Sequence, residues 1–329
     1  MITSRRAFLK TVATTAGAGT LTYGLSPFAF AADPIKIGIL MPGSKLDHGW
    51  MESAYNGIKR AEARYGNKVK ISFIENVKFG DMEQVLVSLA TKNDLVIGAA
   101  GQTQASVLKV AQRFPKVKFS IVGPTGTPTA NVAQYDVLQA QIGFVAGAVA
   151  AMSSKNGAVS YVGGAEIPAI VNTGKEFGNG ARYIKPDIKY FETYTGDFDD
   201  VTKAKEATLA AIGQGADVHY NILNLGVRGM EQAARDKNTK MIGSYTNYCA
   251  DKNPLYLAYT VSGIGFMLEY AIDQMVAGTW KPEYKPFGLA MGPQSAGIEV
   301  CGGMTPQMQA KIKEIQDALL AGKIKVRVG

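Results

Sequence analysis

Short β-rich runs alternate with longer runs of helical period along almost the whole chain, and this alternation constrains the fold more than any other feature. Residues 35–41, 69–74, 95–97 and 117–122 read as strands, and residues 50–65, 82–91 and 105–114 between them carry apolar side chains at helical spacing. After an irregular Gly/Pro/Thr stretch at 123–130 the pattern resumes. Helices are expected at 139–152, 174–184, 201–214 and 228–237, with strands at 158–162, 188–193, 218–223 and 240–244. Strands of this length separated by helices imply right-handed crossovers and parallel sheets covered on both faces.

Two stretches echo each other, one running through Asp94 and the other through Asp217. Each is a helix end, a polar exit, an aspartate and then a buried strand, which points to two similar lobes. The aspartates themselves read as loop punctuation. Beyond residue 255 the order changes. A strand at 255–261, a helix at 263–277, a Gly-interrupted pair of extended segments at 287–300 and a Thr305-capped helix at 305–320 are placed to recross between the lobes. The expectation is an α/β protein of two doubly wound parallel-sheet lobes joined by a multi-strand hinge. One lobe takes residues 32–137 and about 262–290, the other 138–261 and about 291–329, with a ligand cleft at the carboxyl ends of their strands.

Residues 1–31 read as an address. Ser4-Arg5-Arg6-Ala7-Phe8-Leu9-Lys10 has the form of a twin-arginine export signal, a weakly apolar Ala/Thr/Gly stretch follows, and Ala29-Phe30-Ala31 offers small residues for signal cleavage. Removing it takes three basic and no acidic residues from a formal net charge of +8, so the remainder is only mildly basic. No block of like charges forms a nucleic-acid stripe. No apolar run reaches the roughly 18 residues of a spanning helix, and no Cys precedes Cys249 to carry a lipid. A soluble periplasmic monomer is expected, with no nucleic-acid partner. In that oxidising compartment Cys249 and Cys301 could pair or could both be small buried hydrophobes.

Catalytic equipment is absent. The two histidines, His48 and His219, fall in different expected lobes, and no cluster has zinc spacing, so neither metal nor cofactor is expected. There is no nucleophile elbow, no P-loop and no dinucleotide fingerprint. The acidic run 197–200 lacks the spacing of a calcium loop and suits a helix N-cap before Val201. What the strand ends carry is binding equipment. The first loop delivers His48 and Trp50, the third strand leads to Gln102, and the second lobe adds Asp197, Asn224, Tyr245 and Asn247. Amides, hydroxyls and aromatics with few charges suit a neutral planar ligand.

These residues sit within a longer series of motifs. Gly49-Trp50 … Ser53-Ala54 … Gly57, Phe114-Pro115-Lys116-Val117, Gln141 … Gly143-Phe144, Tyr161-Val162-Gly163-Gly164 … Ile167-Pro168 and Phe177 … Gly180-Ala181 follow in order. In them the chain resembles the basic membrane protein family, type I substrate-binding proteins of ABC transporters that include purine-nucleoside receptors. The resemblance implies a type I periplasmic binding protein, not an enzyme, that hands a small molecule to an ABC permease. It also implies two aromatics against the faces of a purine-like base, here matched by Trp50 and Phe177, with Glu176 where the family has Gly. Nucleoside-binding relatives carry a G-V-D-x-D segment that holds ribose hydroxyls and a Lys after the next strand. This chain reads Gly243-Ser244-Tyr245-Thr246-Asn247 and Thr260-Val261-Ser262-Gly263 there. The expected ligand is therefore a free purine base or similar heterocycle. The alternatives are a nucleoside, a sugar or a carboxylate on the same fold, or a ligand-sensing receptor domain.

Overall fold

The computed structural model describes residues 33–327 apart from 124, 125 and 251; the export signal expected at 1–31 lies outside the described residues. The first lobe is laid down as β1 (Ile35–Leu40), α1 (Trp50–Tyr65), β2 (Val69–Ile74), α2 (Met82–Ala90), β3 (Leu95–Gly98), α3 (Gln104–Arg113), β4 (Lys118–Val122) and β5 (Val132–Val137). The second follows as α4 (Gln139–Ser153), β6 (Ala158–Gly163), α5 (Pro168–Ile184), β7 (Lys189–Tyr194), α6 (Val201–Gly213), β8 (Val218–Ile222), α7 (Val227–Asp236), β9 (Lys240–Ser244) and β10 (Tyr256–Val261). The chain then returns through α8 (Ile264–Val276) and β11 (Tyr284–Phe287), and ends with β12 (Gly297–Val300) and α9 (Pro306–Leu320).

The two sheets repeat one topology. The first has the order β11-β5-β4-β3-β1-β2 and the second β12-β10-β9-β8-β6-β7. Every pairing is parallel except that of β12 with β10. The chain passes between sheets three times: from β5 to α4, from β10 to α8 and from β11 to β12. At the second passage Gly263 has φ +50, and a Cβ there would collide with the Ser295 carbonyl of the third. Only glycine lets those two segments lie against each other. Asp94 and Asp217 hold the opposite strand edges: Asp94 accepts the Lys36 backbone N–H at 2.8 Å, and Asp217 accepts those of Lys155 and Asn156 at 2.8 and 2.9 Å.

β5, α5 and β11 differ from the sequence expectation, β11 ending at Phe287 where the first extended segment was expected to begin. β5 was not anticipated, because Gln134 and Asp136 interrupt its apolar residues; all six of its residues are buried. The Gln134 amide donates to the Thr127 carbonyl at 2.7 Å and accepts from Gln104, while the Tyr284 phenol donates to Asp136. α5 begins at Pro168, six residues before the glycine that looked like its start. Proline suits the first helical turn, and Gly174 and Gly178 are interior positions that make room for the rings of Tyr161 and Tyr190. The α4–α5 pair is close enough that a Cβ at Gly147 would strike the Phe177 carbonyl, and one at Gly180 the Phe144 carbonyl.

His219 is a core residue of the second lobe. It is fully buried, with its ring nitrogens 2.7 Å from the Ser160 hydroxyl and 3.0 Å from that of Thr239. Burial pushes its pKa from 6.5 down to about 4, so the folded protein holds it neutral while the unfolded chain protonates it. The stabilisation is complete above pH 6.5 and is lost as the pH falls towards 4, by at most roughly 3 kcal/mol. Melting temperatures measured across that window should fall with acidification, and His219→Gln should flatten the dependence.

Candidate ligand-binding site

The first loop is organised by a buried carboxylate. Asp47 accepts backbone N–H groups from Gly49, Met51 and Glu52 at 2.8, 3.0 and 3.0 Å, satisfying the start of α1. Burial nevertheless pushes its pKa up. This wraps the loop tightly and fixes Trp50 as the first residue of α1. The indole Nε1–H donates to the Ala99 carbonyl at 2.7 Å, and the ring lies against Gly123, whose φ of +92 and missing side chain both make room for it. Trp50 therefore covers the carboxyl ends of β3 and β4.

The second lobe closes against it. The Trp50 backbone N–H faces the Asn224 side-chain oxygen at 3.4 Å, and Arg228 donates to His48 Nε2 at 2.7 Å. The Tyr245 ring meets the indole edge-on, with centroids 6.0 Å apart and planes at 68°. Tyr245 is held in an unusual backbone state for an aromatic residue, with φ +68, which costs on the order of 1–2 kcal/mol. Two contacts fix it there: its N–H donates to the Thr260 carbonyl at 3.1 Å and its phenol oxygen accepts from Gln139 Nε2 at 3.0 Å. Burial pushes the phenol pKa well up, so it remains a hydroxyl.

Two cavities open between the lobes. One, of about 390 Å³, is lined by Gly101, Gln104, Gly123, Asp136, Gln139, Asn172 and the start of α5, together with Arg327. The other, of about 650 Å³, mixes amides and hydroxyls such as Asn56, Thr246 and Asn247 with charged side chains, among them Arg60, Arg64 and Glu269, and with the rings of Tyr245, Tyr259 and Phe266. Both volumes fall in the roughly 300–1,000 Å³ range of small-molecule sites.

The expected site residues divide. Trp50, His48, Asn224 and Tyr245 come together at the lobe contact, and Asn247 lines the larger cavity while accepting the Cys249 N–H at 3.0 Å. Gln102 is exposed in a short 3₁₀ turn outside both linings, and Gln104, two residues on, lines the smaller cavity instead. Asp197 is exposed and accepts the Asp199 N–H at 2.8 Å, closing a turn ahead of Asp200, which caps α6 by accepting from Lys203 N–H.

Phe177 corrects the expected sandwich. It is fully buried on α5 and stacks on Tyr220 at 5.4 Å inside the second lobe, so the aromatic that meets Trp50 is Tyr245. Apolar burial rather than ligand contact accounts for its position. The neighbouring Glu176 is also explained: its buried carboxylate accepts the Arg327 guanidinium at 2.6 Å and the Arg327 backbone N–H at 3.2 Å. A glycine could not hold the end of the chain in this way. Asp136, Gln139 and Arg327 carry no local signal: Asp136 lies in the unanticipated β5, Gln139 opens an Ala/Gly-rich helix, and nothing in the sequence pattern marks Arg327 as folding back onto α5.

Among the described residues no group of His, Cys, Asp and Glu could hold a metal ion, and no helix is long and apolar enough to cross a membrane. Two doubly wound lobes meeting at an aromatic, amide-lined cleft define a type I solute-binding protein. The sequence matches the family of PnrA-like ABC transporter substrate-binding proteins over residues 35–298, and the chain belongs to that family of non-enzymatic receptors. It is 29% identical over 287 residues to a purine-binding protein of Brucella abortus, covering 85% of this chain and 79% of that one. It is 23% identical over 250 residues to an ABC transporter nucleoside-binding protein of Lactococcus lactis, covering 70% of each. Among solved structures, a solute-binding protein of Aeropyrum pernix superposes with a TM-score of 0.78 at 22% identity, over 90% of this chain and 94% of that one. One from Conexibacter woesei gives 0.75 at 24%, over 89% and 99%.

Cys249 and Cys301, left open by the sequence, are joined in a disulfide that spans 52 residues. It ties the segment after β9, which begins with Tyr245, to the end of β12. Replacing both cysteines by serine should destabilise the protein by about 2–4 kcal/mol. A chemical denaturation midpoint unchanged from that of the oxidised protein would contradict this.

Proposed function

We propose that this protein captures a free purine base, or a flat heterocycle of similar size, between its lobes and delivers it as a monomer to an ABC permease. The carrying observation is the edge-on contact of Trp50 with Tyr245 between the lobes, together with a neighbouring cavity whose wall offers the amides of Gln104, Gln139 and Asn172. An indole beside a flat ring contributes about 0.5–1.5 kcal/mol beyond the area it buries. Gln104, Gln139 and Asn172 are amides, which carry both donor and acceptor and so can read a heterocycle edge. The segment 243–247 has Tyr245 and Asn247 in place of carboxylates. Ribose hydroxyls would therefore lose their charged partner, at roughly 1–3 kcal/mol for each group left unpaired. The purine-binding name of the Brucella relative favours the same class.

Ligand that touches both lobes binds the closed form and shifts the population towards it. Calorimetry with matched pairs, adenine with adenosine and hypoxanthine with inosine, should show the base binding more tightly. Trp50→Ala should weaken base binding at least about tenfold. Tighter nucleoside binding by the unaltered protein would reject the reading.

We further propose export to the periplasm by the twin-arginine route. The Ser4–Lys10 motif supports it, and the Cys249–Cys301 disulfide suits an oxidising compartment. Arg5→Lys with Arg6→Lys should leave precursor in the cytoplasm, and an unchanged periplasmic yield would rule the route out.

A further inference from the structure

We infer that His48 and Arg228 form a proton-sensitive latch between the lobes: the pair holds them together while the imidazole is neutral and lets them part when it takes up a proton. The inference concerns closure itself and does not depend on which heterocycle the cleft holds.

The contact leaves an added proton no place. Arg228 Nη2 lies 2.7 Å from His48 Nε2, and a guanidinium has donors only. Nε2 must therefore offer its lone pair, and the one ring proton of the neutral imidazole sits on Nδ1, which faces Glu52 at 4.0 Å. A second proton goes to Nε2. Donor then meets donor, and two positive charges face each other where the hydrogen bond was. The ring is also placed with little slack. His48 has φ +57, its N–H donates to Glu52 at 3.1 Å, and a Cβ on the next residue, Gly49, would strike the Asn224 side-chain oxygen of the second lobe.

The charges around the ring divide by lobe. Lys45, Asp47 and Glu52 belong to its own loop and helix; Lys45 is paired with Glu75, and Asp47 is filled by three backbone N–H groups. Glu52 stays with His48 whether the lobes touch or part, so its attraction for a protonated ring cancels between the two states. From the second lobe come Arg228 on α7 and the acids of the loop before α6. Asp197, Asp199 and Asp200 accept backbone N–H groups of that lobe, although the charge of Asp199 reaches Asp47. Glu231, further along α7, is taken by Tyr256 and Arg235. Arg228 is the group that touches the ring and arrives with closure, so closure disfavours protonation. By linkage, protonation disfavours closure.

The sign and the window follow. Among side chains, imidazole is the one whose ordinary pKa falls between about 5 and 8, and the chain has two histidines. His219 is buried in the second lobe with its pKa pushed down to about 4, so it stays neutral in the folded protein through the upper part of that range. Closure and ligand affinity should be complete on the alkaline side, fall with acidification through His48, and be accompanied by proton release when ligand binds. Both side chains are partly open to water, so the effect is a few-fold.

The test uses adenine, which stays neutral over the window. It is titrated by calorimetry at about pH 8 and about pH 5.5, in two buffers of different ionisation enthalpy, so that protons released on binding are counted. In the unaltered protein, acid should weaken binding at least about threefold, and binding should expel a fraction of a proton. His48→Gln offers an oxygen that accepts from Arg228 and does not titrate, so its affinity should be flat with no proton released. Arg228→Met removes the donor and should also be flat, while Arg228→Lys keeps donor and charge and should restore the dependence. His219→Gln should leave the dependence in place. Affinity independent of pH in the unaltered protein overturns the latch, as does a dependence that survives in His48→Gln or Arg228→Met. If adenine does not bind, the purine-base reading fails by itself, and small-angle scattering of the ligand-free protein decides the latch. Acid should then enlarge the radius of gyration of the unaltered protein and not that of His48→Gln, and equal radii at both pH values overturn it.

Discussion

A parallel sheet delivers all of its strands' carboxyl ends to one edge, and everything functional in this protein depends on two such edges being turned towards each other. The loops after β1, β3 and β4 belong to one edge, those after β8 and β9 to the other, and they meet at Trp50, His48, Asn224, Arg228 and Tyr245. No loop needs to be long for this. Once the three passages between the sheets set the lobes face to face, short turns suffice to bring their residues into contact. The opposite edges carry the structural aspartates, Asp94 and Asp217, which bind backbone N–H groups and have no share in the cleft.

The parts of this arrangement that obey local rules were legible in the sequence. The periodicity located most elements to within a residue or two, and the Thr305 and Asp200 caps form as their positions suggest. The near-repeat around Asp94 and Asp217 foretold two sheets of one topology. What escaped was whatever a distant partner decides. Gln134 and Asp136 look like surface residues until Gln104 and Tyr284 are seen to bind them. Gly174 looks like a break in α5 until the Tyr161 ring is found above it.

The same distinction runs through the site. Trp50 could be chosen because it follows a loop at a strand end, a rule that topology guarantees. Phe177 stands out by the motif around it, but it packs into the second lobe, where the rings of Tyr161, Tyr190 and Tyr220 surround it. Tyr245 gave no comparable signal beyond its place after a strand, because its left-handed backbone and its bond to Gln139 exist only once β9, β10 and α4 are assembled.

Charge is handled in the cleft by pairing it with the protein itself. The guanidinium of Arg327 could attract an anionic ligand, yet the buried Glu176 carboxylate already holds it at 2.6 Å, and the hydrogen bond to the Arg327 backbone fixes the tail in that register. Arg228 is engaged with His48, where it can only donate and the imidazole must accept. Asp47 is occupied by three backbone N–H groups. These three charges near the cleft thus have partners before any ligand arrives. A charged solute that displaced Arg327 would leave the Glu176 carboxylate buried and uncompensated, a change that costs several kcal/mol in a dry site. A neutral molecule needs no such exchange.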